Sequence, residues 1–419
     1  MNLCFCFLLS FSFVHFIGLL YFIDDVDETL AQICDRFETI DLWKKLARSG
    51  PEMTADYIKQ HLNRWKTEKI RFAVLGRSAA GKSTFINIFR GVKEGQEGSA
   101  DVGFGNTGEK ITEYKHPANE NIIFCDVPGL SMKFDKSKFQ KMVKLSSYNY
   151  IFLFFDSVLS VDDEWLMVQI QKKRIPFCLV RSKVDNDVKS DKGITFGEKD
   201  TLLKIRQRIK DSLSDKKAFA KVELFLISSE KPGIGEMSKL QDHIKEKLPS
   251  NQYSAVMLCL PILTGAVVEK KLIELKKRIP YVSVGAAVIS CASPIITNSL
   301  TIDLITSEVK HYVKVFGLDQ RHNENIEGLQ YDFSVVSVDE FALRKIIANG
   351  ALVPATMSGQ DSIKLVLNSV PVTMRKQDSI KLVARETKTF VDGFLFKILS
   401  ELRKDAITVH LHYLKKATR

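Results

Sequence analysis

Between residues 70 and 227 short apolar runs alternate with longer stretches in which apolar residues recur at helical spacing. The runs at 70–75, 121–127, 148–155, 175–180 and 222–227 read as strands. Phe85, Ile86, Ile88 and Phe89 mark the first intervening helix. Such alternation predicts an α/β fold with a mainly parallel sheet and helices on both of its faces. Ligands on such sheets bind beyond the carboxyl ends of the strands.

The pattern changes on either side. Residues 24–69 read as helical, with Ile33, Phe37, Ile40, Leu42 and Trp43 followed by a break at Ser49-Gly50-Pro51, then Tyr57, Ile58, His61, Leu62 and Trp65. From Leu258 onward the chain is again mostly helical. The run 282–296 is apolar but short and is interrupted by Ser283, Ser290, Ser293 and Pro294, which predicts a buried helix pair rather than a membrane span. Residues 378–419 place Ile380, Val383, Phe390, Phe394, Leu395 and Leu402 among lysines and arginines; a core-facing amphipathic helix is expected, a membrane-surface helix being the alternative. The organisation predicted is an apolar segment at 1–23, a helical segment at 24–68, an α/β domain at 69–250 and a helical domain at 251–419, with both flanks contributing to the helical part.

Residues 1–23 are almost wholly apolar and long enough to span a bilayer, yet lack Lys and Arg. Three readings stand: an N-terminal membrane anchor, a cleaved signal, or an incorrect start or poorly ordered tail. Within 353–383 a tandem repeat of period 17 runs from Val353-Pro354 to Val366 and from Val370-Pro371 to Val383. At 3.6 residues per turn the two copies cannot bury the same stripe of one straight helix, so one copy reads as extra.

Hydrophobic residues at 45% and charged residues at 26% exclude wholesale disorder. Net charge is +11, but acidic residues are interspersed with the basic ones and there is no arginine-rich arm, so no nucleic-acid partner is expected. Seven cysteines lie without metal-ligand spacing; Cys125 and Cys178 fall inside strand-like runs and read as small buried hydrophobes.

The chemistry sits at the strand ends. Gly76-Arg77-Ser78-Ala79-Ala80-Gly81-Lys82-Ser83-Thr84 joins the first strand to the first helix and matches a phosphate-binding loop. Glycines let backbone N–H groups curl round phosphate oxygens, Lys82 supplies a mobile charge, and the Ser83 hydroxyl can ligate Mg2+. Asp126-Val127-Pro128-Gly129 ends a later strand: Asp126 can brace the metal shell, and Gly129 can turn a backbone N–H toward the terminal phosphate. Between the two motifs, the polar stretch 101–113 suits a loop that orders on nucleotide, with Thr107 as its candidate metal ligand. After the run 175–180 come Ser182-Lys183-Val184-Asp185. Asp185 can accept from the N1–H and exocyclic amine of guanine, which adenine does not offer, and the Lys183 stem can lie over the base. Ser228 and Ser229 follow the last strand and can complete the base contact. GTP and GDP are therefore the expected nucleotides, with Mg2+, and Lys82, Ser83, Thr107 and Gly129 the candidate catalytic groups.

Taken together these motifs, with Phe85-Ile86-Asn87, Arg90-Gly91, Tyr114-Lys115-His116-Pro117 and Ile227-Ser228-Ser229, resemble the immunity-related, or interferon-inducible, GTPases. Glu269-Lys270-Lys271, Lys276-Lys277-Arg278, Glu308-Val309-Lys310, Tyr312 and Phe316-Gly317-Leu318-Asp319 resemble that family's helical region. The likeness covers residues 33–320. It implies a dynamin-like GTPase that self-associates through its GTPase domains and acts at the cytoplasmic face of intracellular membranes in cell-autonomous defence. The lysine in the loop is similar to that of the family's effector-type members. Two positions depart: Ser182 stands where Asn or Thr is usual, and Leu130 stands where small signalling GTPases carry a water-positioning glutamine. Leu130 implies slow intrinsic hydrolysis or help from a dimer partner; the competing expectation is a GTP-dependent membrane scaffold with negligible turnover.

Overall fold

The computed structural model describes residues 38–102, 110–128, 136–155, 159–190, 197–213, 222–290, 294–319 and 376–417. These fall into two compact units, one at Trp65–Lys271 and the other combining the chain up to Arg64 with Leu272–Arg419.

In the first unit the strands are β1 (Ile70–Gly76), β2 (Thr112–His116), β3 (Asn119–Asp126), β4 (Tyr150–Phe155), β5 (Phe177–Arg181) and β6 (Leu224–Leu226). They form one sheet in the order β2-β3-β1-β4-β5-β6, parallel throughout except for the antiparallel β2–β3 pair. The parallel strands lie where the apolar runs predict them, β4, β5 and β6 beginning two residues later than read and β3 two residues earlier. β2 is an addition: its polar Thr-Glu-Tyr-Lys-His sequence is mostly exposed at the sheet edge and carries no apolar run. Edge strands need bury only part of one face, so hydrophobic pattern under-reports them.

Alternation through the strands divides the core. Phe72, Val74, Phe124, Phe152, Phe154 and Val180 face one side, where they meet Phe85 and Phe89 of helix α2 (Lys82–Arg90) and Leu240 and Ile244 of helix α7 (Met237–Lys247). Ala73, Leu75, Cys125, Ile151, Leu153, Phe155 and Leu179 face the other, packed on Leu166, Met167 and Ile170 of helix α4 (Val161–Lys172). Each fully buried aromatic or leucine contributes about 1.5–3 kcal/mol. Phe85 stacks edge-on against Phe152 and Phe154, with centroids 5.0 Å from each, fixing the helix that follows the phosphate loop. Cys125 and Cys178 are buried free thiols whose pKa values burial pushes up to about 11 and about 12, so neither is a ready nucleophile.

The remaining helices of this unit include α3 (Lys136–Met142), α5 (Val184–Ser190), α6 (Glu198–Leu213) and α8 (Ser250–Cys259); α9 (Gly265–Lys276) begins in it and continues past its last residue, Lys271. In the second unit α1 (Glu38–Leu62) is broken at Gly50, where ψ reaches 175°, just before Pro51. It packs on α10 (Ile279–Ser290), as do α11 (Pro294–Val315) and the long α12 (Lys376–Ala417). α10 is buried almost end to end. Leu395, Leu399 and Leu402 of α12 are buried too, which is the core-facing arrangement. Among the described residues no helix is long and apolar enough to cross a membrane. The segment 1–23 lies outside the described residues, as does the tandem repeat apart from 376–383, which open α12.

Candidate functional site

Four parallel strands deliver their carboxyl ends to one edge of the sheet. Register pairs Val74 with Asp126, Gly76 with Phe154, Phe155 with Arg181 and Arg181 with Leu226, so the motifs that follow β1, β3, β5 and β6 emerge side by side. Gly76 turns out of β1 at φ 132°, and a Cβ there would lie 2.0 Å from the Phe154 carbonyl oxygen; only glycine passes. Arg77, Ser78 and Ala79 are exposed, Ala80 is buried, and Gly81 caps α2 in the left-handed conformation.

Lys82 is 9% exposed, and its Nζ donates to the Arg77 carbonyl at 3.0 Å across the loop. Burial lowers its pKa, with Asp126 opposing the shift. Ser83 donates from Oγ to Asp126 Oδ2 at 3.1 Å. Burial raises the Asp126 pKa, opposed by Lys82 and by that hydroxyl. A partly desolvated cation, a carboxylate and a hydroxyl thus converge at the mouth of the loop.

The stretch 182–185 is tied to the loop 76–81. Ser182 Oγ donates to the Ala80 carbonyl at 2.6 Å, and Lys183 Nζ donates to the Ala79 carbonyl at 2.7 Å. Ala79 at φ 61° and Lys183 at φ 60° are two of the three described non-glycine residues with positive φ. Left-handed backbone costs roughly 1–2 kcal/mol at such residues, and its concentration in these two loops marks a site held against local preference. Asp185 is 3% exposed; Ser228 Oγ donates to its Oδ1 at 2.8 Å and in turn accepts from the Lys231 amide at 2.9 Å. Ser229 is buried next to it, with an Oγ that has no hydrogen-bond partner among the described residues.

Lys82, Ser83, Asp126, Ser182, Lys183, Asp185, Ser228 and Ser229 therefore belong to one edge of the sheet. Thr107, Gly129 and Leu130 lie outside the described residues. Sequence reading missed Arg181, the last residue of β5. Its Nη1 donates to the Ser182 carbonyl at 2.8 Å, and its Nη2 reaches both oxygens of Asp187 at 3.0 and 3.3 Å. A guanidinium ending an apolar strand, with a carboxylate six residues on, was the available signal.

The family model for interferon-inducible GTPase matches residues 38–341. Among curated proteins, the chain is similar to mouse (Mus musculus) interferon-inducible GTPase 1, 28% identical over 66% of this chain and 68% of that one. It is also similar to mouse interferon-gamma-inducible GTPase 10, 28% identical over 72% of this chain and 73% of that one. A solved structure of translation elongation factor SelB from Methanococcus maripaludis, in complex with the GTP analogue GppNHp, is 16% identical and covers 43% of this chain and 34% of its own, with a TM-score of 0.29. That likeness is too remote to bear on function. By the family match over most of its length, the chain belongs to the interferon-inducible GTPases and is a GTP-binding GTP hydrolase of the immunity-related type.

Proposed function

We propose that residues 76–84 cradle the phosphates of GTP, with Lys82 and the loop amides on the β- and γ-phosphates and Gly129 directing a backbone N–H to the γ-phosphate. Asp185 reads the N1–H and exocyclic amine of guanine, Lys183 covers the base, and Ser229 makes the last base contact. The observation that supports this best is the tie between the loops: Ser182 and Lys183 bond the carbonyls of Ala80 and Ala79, so base and phosphates are gripped by one connected unit.

Ser83 and Asp126 fit Mg2+: hydroxyl and carboxylate are hard oxygen donors already in contact. Thr107 is the further candidate ligand. When bound, Mg2+ would neutralise charge on the β- and γ-phosphates. The chain's own contribution is to place Lys82 against the phosphates and to hold the nucleotide in line with an attacking water. None of the candidate groups is a general base, and positioning plus electrostatics suffices for phosphoryl transfer.

With Leu130 in place of a water-positioning glutamine, turnover depends on self-association through the GTPase domains, in a dynamin-like manner, at intracellular membranes during cell-autonomous immunity. The second reading, a GTP-dependent membrane scaffold with negligible turnover, is favoured by the same Leu130. Equilibrium binding of fluorescent GDP and ADP with and without Mg2+ tests the site. Guanine selectivity that disappears in Asp185→Ala supports it; equal affinity for the two nucleotides refutes it.

A further inference from the structure

We propose that Arg181 is a positioning residue for guanine recognition, clamping the turn that presents Asp185 through a fork between the Ser182 carbonyl and the Asp187 carboxylate. This deepens the reading of Asp185 given above and rests on it.

Arg181 is anchored at both ends. Its backbone pairs with Phe155 of β4 and Leu226 of β6, and its carbonyl accepts from the Ile227 amide at 2.9 Å, so its Cα is fixed by the sheet. Its side chain is 10% exposed and folds back over the following turn. One nitrogen takes the Ser182 carbonyl at the turn's start; the other takes both oxygens of Asp187, two residues beyond Asp185 in α5. Planar guanidinium geometry matches this double demand, and an ammonium does not.

The turn needs such a clamp. Lys183 sits in the left-handed region at φ 60°, which a residue with a Cβ adopts only when its surroundings impose it. Further restraints include the Ser182 hydroxyl on Ala80, the Lys183 ammonium on Ala79, the Val184 amide on the Ile227 carbonyl at 3.2 Å, and Ser228 on Asp185. These fix the start of the turn and one oxygen of the carboxylate. The Arg181–Asp187 contact fixes the first turn of α5, and with it the direction from which Asp185 enters the pocket. A small rotation of that helix would keep the Ser228 bond and still swing the other oxygen away from the base.

The test is binding of GDP and IDP, with Mg2+, to the full chain. Inosine lacks the exocyclic amine, so the ratio of the two affinities reports whether Asp185 reaches both donors of guanine. Wild type should prefer GDP by about tenfold, the worth of one such bond. Arg181→Lys keeps the charge and loses the fork; Asp187→Ala removes the partner at a half-buried position that tolerates truncation. Both should weaken GDP about tenfold, bring the GDP:IDP ratio down to about twofold, and raise KM for GTP with kcat retained. A ratio that stays at the wild-type value in the folded variants overturns the clamp and leaves an ordinary ion pair. If wild type itself binds GDP and IDP equally, the Asp185 reading has failed before any variant is made, and the clamp falls with it.

Discussion

Lys82 and Asp126 carry opposite burdens of the same burial: desolvation lowers the pKa of the lysine and raises that of the aspartate, and each charge offsets the other's loss. An ammonium held this way is poised for phosphate and costs stability until phosphate arrives. Lys82→Met should raise the unfolding temperature of the nucleotide-free protein by a few degrees and abolish the further rise that GTP produces; scanning calorimetry with and without nucleotide reads both. At the other end of the site, Asp185→Asn should weaken GDP about 100-fold, since both bonds to guanine are to a charged acceptor. It should gain affinity for XDP, whose C2 carbonyl can accept from the new amide, and competition binding measures the exchange. That Lys82, Asp126 and Asp185 come to one edge of the sheet was legible in the sequence, because each lies at or just beyond the carboxyl end of an apolar run in the same parallel sheet. Arg181 was not, because an arginine at a strand end has no motif; its role appears only once the turn folds back onto it.

Elements set how firmly those residues are held. Helix α2 does more than follow the phosphate loop. Asn87 Nδ2 donates to the Ala100 carbonyl at 2.7 Å and its Oδ1 accepts from the Ala100 amide at 2.6 Å. Arg90 donates to the carbonyls of Gly98 and Lys115 at 2.9 and 3.0 Å. One helix face therefore pins both the chain after the helix and the edge strand β2. Asn87→Ala should cost about 2–3 kcal/mol, because it leaves a buried amide and carbonyl unpaired; urea denaturation measures it. At the end of β2, His116 is buried and its pKa is pushed down to about 4 from 6.5, first by burial and then by Arg90 and Lys271. The unfolded chain takes up this proton near pH 6.5 and the folded chain resists it until about pH 4, so stability is full above pH 6.5 and falls on acidification through that window. The loss is about 3 kcal/mol, and His116→Gln should flatten that part of the stability–pH curve. The parallel strands were legible as apolar runs because both faces of the sheet are covered. β2 was not: an edge strand pinned by α2 can be written in polar residues.

At the scale of the molecule each unit buries an apolar core of its own. The sheet unit rests on two aromatic and aliphatic layers. The helical unit contains a buried ion pair, in which Arg278 donates from Nε and Nη2 to the two Glu308 oxygens at 2.6 and 2.7 Å and also reaches the Leu62 carbonyl. Breaking one side strands the other charge, so Arg278→Ala should destabilise that unit by about 3–5 kcal/mol, visible as an early thermal transition. The helical composition of the flanks was legible from periodicity. The Arg278–Glu308 pairing was not, since it joins α10's approach to α11 across a fold that no local pattern specifies. Gly285 tells the same story: a Cβ there would lie 2.5 Å from Ile58 Cδ1, so the contact of α10 with α1 is written in one residue whose partner lies far away in the chain.

The proposed dependence of turnover on a second copy of the chain is tested most directly by GTP hydrolysed per protein molecule as a function of protein concentration, with Lys82→Met alongside. The specific rate should rise with concentration, and Lys82→Met should remain at background throughout. A chain that binds GTP tightly yet shows a flat, near-background rate at every concentration would contradict the assembly-stimulated enzyme and leave the scaffold in its place.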